Sequence, residues 1–299
     1  MTHLVVIGHT GQVASELCAT VLPSGWHLTS LGRQDIDLSQ PGTIASKLEP
    51  LAPSVLINAA AYTAVDKAET EEELAMQVNG HAPGELARTC VQFDIPLLHV
   101  STDYVFDGTA TEPYSEQHHT HPLNAYGRSK LAGEVAIQEP GARAIILRTS
   151  WVFSATGANF VKTMLRLAAE RDELSIVADQ RGGPTSAKDL ASTLITLAQH
   201  LVESPQAPSG IYHYAGQPGT NWAEFAAAIF EGADWLARKP QVHRISTEQY
   251  PTPAKRPLYS VLDCSKINRD HAIQQPDWCN GLRHALDQLN PGNRNNEAP

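Results

Sequence analysis

The stretch Leu4-Val5-Val6-Ile7-Gly8-His9-Thr10-Gly11-Gln12-Val13-Ala14 decides how the chain is read. Four apolar residues without alternation predict a strand buried on both faces, and a helix over Gly11–Val21 follows after a short turn. Gly8 and Gly11 have G-x-x-G spacing, and Ala14 takes the third position, where a small side chain lets helix and strand pack closely. Such a turn brings the backbone close to a pyrophosphate and aims the free N–H groups of the next helix at its charge. Placed at the head of a strand–helix–strand unit, it points to a dinucleotide; a plain glycine turn is the alternative.

The same alternation continues outward. Leu28–Leu31, Val55–Ile57, Leu97–Val100 and Ile145–Leu147 are short apolar runs, with helical stretches at Glu71–Phe93 and Tyr126–Gln138. Repeated strand–helix–strand units predict right-handed crossovers and an open parallel sheet. The expected fold is therefore α/β, a Rossmann-type doubly wound sheet with a smaller C-terminal substrate-binding lobe. The later chain predicts a helix over Asn159–Arg171, a strand at Leu174–Val177, a turn at Arg181–Pro184 and a helix over Ala187–Leu201. A strand at Ile211–Tyr214 and a helix over Trp222–Phe230 follow. Pro240, Pro251, Pro253 and Pro257 leave residues 240–257 too broken for one regular element. The expected division is a nucleotide domain over 1–150, with helices returning to it from the later chain, a lobe over 151–289 and a frayed tail over 290–299.

Composition bounds the partners. Of 299 residues, Lys+Arg number 22 and Asp+Glu 32, a net charge of −10, which argues against nucleic acid and anionic membranes. No apolar run reaches the roughly 18–20 residues of a membrane span. The N-terminus has no basic segment ahead of an apolar core, and the four cysteines have no metal-site spacing. The expectation is a cytoplasmic protein with a small-molecule substrate, no nucleic acid, no membrane and no metal site.

Two further places carry chemistry. After the second strand, Gly32-Arg33 stands where a carboxylate would select a ribose 2′-hydroxyl, and an arginine there accommodates a 2′-phosphate. This favours NADPH over NADH; an ordinary solvated arginine is the alternative. Asn58-Ala59-Ala60-Ala61 ends the third strand with side chains small enough for a cofactor to lie on the backbone. The strongest signal is Tyr126-Gly127-Arg128-Ser129-Lys130, whose four-residue offset stacks tyrosine and lysine on one helix face. A lysine beside a phenol is expected to lower its pKa toward neutrality, which suits proton exchange with a carbonyl oxygen. Thr102, where the fourth strand ends, could hold that same oxygen.

On these residues the chain resembles the extended short-chain dehydrogenase/reductase family, from Leu4 to about Asp263. Arg148–Phe153 is among the telling segments, and the runs Ala64-Val65-Asp66-Lys67-Ala68-Glu69 and Ser101-Thr102-Asp103-Tyr104-Val105-Phe106 are far more specific than the general motifs. In them the chain is similar to reductases of nucleotide-linked sugars. The resemblance implies hydride transfer from a nicotinamide to the C4 ketone of dTDP-4-dehydro-L-rhamnose, with Tyr126 as proton donor and Lys130 on the nicotinamide ribose. It implies cofactor contacts at Gly8, Thr10, Gly11, Gln12, Val13, Asp37, Leu38, Ala60, Ala61, Tyr62 and Thr63. It also implies sugar contacts at Thr102, Asp103 and Trp151. Members of this family dimerise through magnesium held by acidic residues. Glu16 matches one of them, but Lys188 precedes Asp189 at the other place. A lysine ammonium cannot ligate a cation, so magnesium stays open, as does the choice between monomer and homodimer.

Other signals mean less. His118-His119-Thr120-His121 reads as a solvated loop or a lid over the sugar, Trp222 and Phe225 as core, and Glu69–Glu73 as an acidic helix start, favoured by the dipole and needing no function. Arg256 is a candidate grip for the substrate diphosphate. The rival readings are a non-catalytic NADP-binding regulatory subunit and another sugar-nucleotide reductase or epimerase of the same fold.

Overall fold

A computed structural model describes residues 1–294. Six parallel strands form the central sheet: β1 (Thr2–Ile7), β2 (Trp26–Leu31), β3 (Val55–Asn58), β4 (Leu97–Thr102), β5 (Ala144–Thr149) and β6 (Gly210–His213), in the order 2-1-3-4-5-6. The chain leaves β1 toward β2 and returns to the other side at β3. The crevice at that reversal, above the carboxyl ends of the strands, is where such sheets bind ligands. The doubly wound α/β fold read from the sequence is the fold observed.

Strand composition explains the two covered faces. Leu4 and Val6 of β1 point to one face, where they meet Leu190, Leu194 and Leu197 of α5 (Ala187–Glu203) and Leu17 of α1 (Gln12–Ala19). Val5 and Ile7 point to the other, against Leu86 and Cys90 of α2 (Ala82–Phe93) and Ile137 of α3 (Ala125–Gln138). A second apolar core lies beyond the sheet, built from Phe153, Val161, Leu174, Phe225, Ile229 and Leu282. It joins α4 (Phe160–Glu170), α6 (Trp222–Gly232) and α7 (Trp278–Leu289) to a two-stranded parallel ribbon.

Three details depart from expectation. The ribbon pairs Glu173–Val177 with Gln241–Ile245, so the proline-rich segment does hold a strand. It fits because the five residues after Pro240 contain no proline, and the next one comes only at Pro251. The single helix over Glu71–Phe93 is broken: Glu72–Met76, a wider π turn at Gln77–His81, then α2. In the expected tail, Pro291–Arg294 form a turn of helix, and residues 295–299 lie outside the described residues. Among the described residues no helix is long and apolar enough to cross a membrane.

Candidate active site

A cavity of about 1310 Å³ opens over the carboxyl ends of β1, β3, β4 and β5. Every residue the sequence offered for the site borders it except Arg256. At the cofactor end, Gly8 has φ +122°, and a Cβ there would press on Ala14 Cβ at 3.2 Å. Gly11 caps α1 with no side chain bonded to the first-turn N–H groups, and the space in front of it is open. Those unpaired donors and the bare backbone are what a diphosphate requires, so the residues fit a dinucleotide.

Beyond β2, the two nearby carboxylates are occupied locally. Asp35 Oδ2 accepts Gly32 N–H at 2.8 Å, and Asp37 Oδ1 accepts Ser39 N–H at 3.0 Å and Ser39 Oγ–H at 2.7 Å. The Ser39 bonds hold the Asp37 carboxyl below its usual range. Arg33 stands over the cavity edge, 78% exposed, its Nε 3.7 Å from Asp37.

At the chemical end, Asn124 caps α3 by accepting Gly127 N–H at 2.8 Å, which sets Tyr126 and Lys130 on the cavity side. The register pairs Thr102 with Thr149 as the last residues of β4 and β5, putting both at the carboxyl end of the sheet. Tyr126 lies edge-on to Tyr104, with ring centroids 5.6 Å apart. Its phenol is pushed up to about 12, chiefly by burial, with a hydrogen bond from Thr102 acting the other way and the Asp103 charge adding to the rise. The lowering expected from Lys130 is not found, because Lys130 Nζ donates to Val100 O at 2.7 Å and lies 3.1 Å from His99 Nε2. Burial draws Lys130 down to about 8, against the pull of Glu134. Glu134 is itself held by Arg148 at 2.6 Å, and Ser101 Oγ donates to it at 2.6 Å. Asp103 is buried, carries an Oδ2 with no partner, and is raised to about 6, chiefly by burial.

Trp151 forms the far wall with φ +48°, its ring stacked on Trp222 at 3.6 Å and 9°. Trp222 was read as core from its spacing with Phe225; it borders the cavity instead, its Nε1–H given to Gln180 Oε1 at 3.1 Å, while Phe225 is buried. No one-dimensional signal separates the two, since both fit a helix face. Arg256 stands outside the cavity: its guanidinium clasps Asp66 at 2.6 and 2.9 Å and donates to Ala254 O at 2.7 Å. The bidentate grip is there, but an internal carboxylate takes it. His118 and His119 border a separate cavity of about 360 Å³ and do not cover the sugar end. The acidic run is tied into the structure: Glu69 accepts Ala125 N–H, Glu71 the Tyr62 hydroxyl and Glu72 the Arg128 guanidinium.

A glycine turn beneath a helix terminus and a tyrosine–lysine pair on a helix beside β4, on a doubly wound sheet, define a nicotinamide-dependent short-chain dehydrogenase/reductase. Comparison narrows this: the chain belongs to the RmlD substrate binding domain family, whose model matches residues 1–290. It is 46% identical over 285 residues to the dTDP-4-dehydrorhamnose reductase of Sinorhizobium fredii, covering 95% of this chain and 96% of that one. The Aggregatibacter actinomycetemcomitans protein of the same name is 42% identical over 95% of this chain and 98% of its own. A solved dTDP-4-dehydrorhamnose reductase from Bacillus anthracis, in complex with NADP, superposes with a TM-score of 0.88 at 34% identity, over 96% of this chain and 99% of that one.

Proposed function

We propose that this chain reduces the C4 ketone of dTDP-4-dehydro-L-rhamnose to dTDP-L-rhamnose with NADPH, the last step in making that sugar donor for surface polysaccharide. One observation carries the reading: Thr102, Tyr126 and Lys130 meet in the same cavity as the glycine turn, in a chain of this family. When bound, the reduced nicotinamide supplies the hydride. Thr102 and Tyr126 hold the ketone oxygen, and Tyr126 gives it the phenolic proton as negative charge develops. A phenol raised to about 12 keeps its proton throughout the physiological range, as a donor must. Lys130 binds the nicotinamide ribose, and Asp103, with a free buried oxygen, accepts a sugar hydroxyl. Trp151 and Trp222 wall the sugar in, which excludes water and holds the reacting carbons in line. Arg33, at the cavity edge beyond β2, largely exposed and paired with Asp37 only at 3.7 Å, favours the 2′-phosphate of NADPH.

Magnesium does not fit the corner between α1 and α5. Lys188 Nζ lies 3.1 Å from His284 Nε2, and its charge acts on both Glu16 and Asp189. The cation is already built in, so the protein works as a metal-free monomer or homodimer in the cytoplasm. The deciding experiment follows loss of reduced-nicotinamide absorbance with dTDP-4-dehydro-L-rhamnose generated in place, comparing NADPH and NADH and identifying the sugar. Stoichiometric formation of dTDP-L-rhamnose is expected. Tyr126→Phe should lower kcat about 10²–10⁴-fold with cofactor affinity kept. Tight NADPH binding without turnover would favour the regulatory-subunit reading instead.

A further inference from the structure

The polar groups behind Lys130 obey a hydrogen-bond count that fixes one proton. His99 is buried between β3 and α3, opposite Asn58 in the strand register. Its Nδ1 lies 3.0 Å from Asn58 Nδ2, and its Nε2 lies 3.1 Å from Lys130 Nζ. The Asn58 amide is oriented from its other end, where Oδ1 accepts Ala60 N–H at 3.2 Å. Its NH₂ group therefore faces the ring, and His99 Nδ1 must accept. A neutral imidazole carries one N–H, so that proton sits on Nε2 and points at Lys130. An ammonium has no lone pair to receive it; an amine has one, and still donates to Val100 O.

We propose that His99 is a positioning residue for Lys130: fixed by Asn58 with its proton on Nε2, it opposes the ammonium form of Lys130 and donates to Nζ in the amine form, a bias that a bound nucleotide outweighs. The surroundings agree. Burial holds the His99 ring neutral, far below its ordinary titration range, and the same burial weakens the Lys130 charge. Glu134, on α3 itself, favours the ammonium but is tied to Arg148 of β5. Asp103, after β4, acts on Tyr126, and β3 presents the uncharged Asn58. Arrival of an anionic nucleotide then draws a proton onto Lys130, so cofactor binding is linked to proton uptake. That consequence rests on the proposed function; the tautomer does not.

The test is nitrogen NMR of the unliganded protein carrying ¹⁵N-histidine, with the His99 signals assigned through the backbone. The expected result is Nε2 bearing the proton and Nδ1 bare across neutral pH. Asn58→Asp presents Nδ1 with an acceptor only. It should move the ring proton to Nδ1, let Nε2 accept from an ammonium, and raise the pH at which NADPH binding weakens by roughly one to three units. A proton found on Nδ1 in the unsubstituted protein would overturn the proposal, as would a folded Asn58→Asp protein whose NADPH binding keeps its pH dependence. If that variant does not fold, the tautomer of the unsubstituted protein decides alone. Absence of turnover on the dTDP-sugar would sink the proposed function and leave the tautomer result standing.

Discussion

Trp151 shows what the sugar end costs the fold. A bulky residue at φ +48° is strained by about 1–3 kcal/mol, and such strain persists where neighbours over-determine it. Here the neighbours are the Trp222 ring and Gly182, where a Cβ would stand 2.5 Å from the Trp151 ring. Gly182→Ala should therefore push the indole off its stack, raising KM for the sugar nucleotide about tenfold or more while the NADPH affinity holds; steady-state kinetics with each substrate varied checks the split. Asp103 makes a second residue-scale prediction. Its carboxyl is raised from 3.8 to about 6 in the fold, so the folded state holds that proton more tightly than the unfolded chain does. This contribution to stability is full below 3.8 and is lost as pH rises through about 6, amounting to about 3 kcal/mol. Asp103→Asn should remove that fall, seen as denaturant midpoints that no longer drop across the window. Tyr126 and Lys130 were legible because a four-residue offset is a property of one helix. His99 and Trp222 were not, because their partners come from other elements and are chosen by strand register and helix packing.

Apolar spacing made α1 and α3 to α6 legible close to their observed bounds, whereas α7 (Trp278–Leu289) was not read from the sequence. Also hidden was the π turn at Gln77–His81. One extra residue per turn barely disturbs a hydrophobic pattern, and the reason for it lies elsewhere in space. The widened turn carries Asn79 inward, where it accepts Tyr62 N–H at 2.8 Å and donates to Tyr62 O at 2.9 Å and Ser129 Oγ at 3.0 Å. One buried amide thus fastens the loop after β3 to the helix bearing Tyr126 and Lys130, and π turns concentrate at functional sites for such reasons. Asn79→Ala leaves the part-buried Tyr62 N–H and C=O without this partner, while Ser129 Oγ still donates to Tyr126 O, and should cost about 1–3 kcal/mol, read from urea unfolding, with a weakened hold on cofactor. The partners of Glu69, Glu71 and Glu72 could not be read for the same reason: charge and dipole explain an acidic helix start without showing what lies across from it.

For the molecule as a whole, the acidic corner between α1 and α5 predicts metal independence. Excess chelator should change neither sedimentation nor turnover; a dimer that dissociates in chelator would show that Glu16 and Asp189 hold a cation despite Lys188. The doubly wound fold was legible because five of the six sheet strands are short unalternating apolar runs in the first half of the chain. The contribution of the later chain was harder to read. α5 roofs one face of the sheet and β6 completes its edge, yet both lie past residue 186. That ordering bears on how the protein is made. While the ribosome is still short of residue 187, the emerged strands have Leu4, Val6, Ile57 and Leu147 on a face with no α5 to cover it. Synthesis therefore passes through a long interval in which a sticky apolar surface needs a chaperone or luck, and the nucleotide site matures only once the second half of the message has been translated.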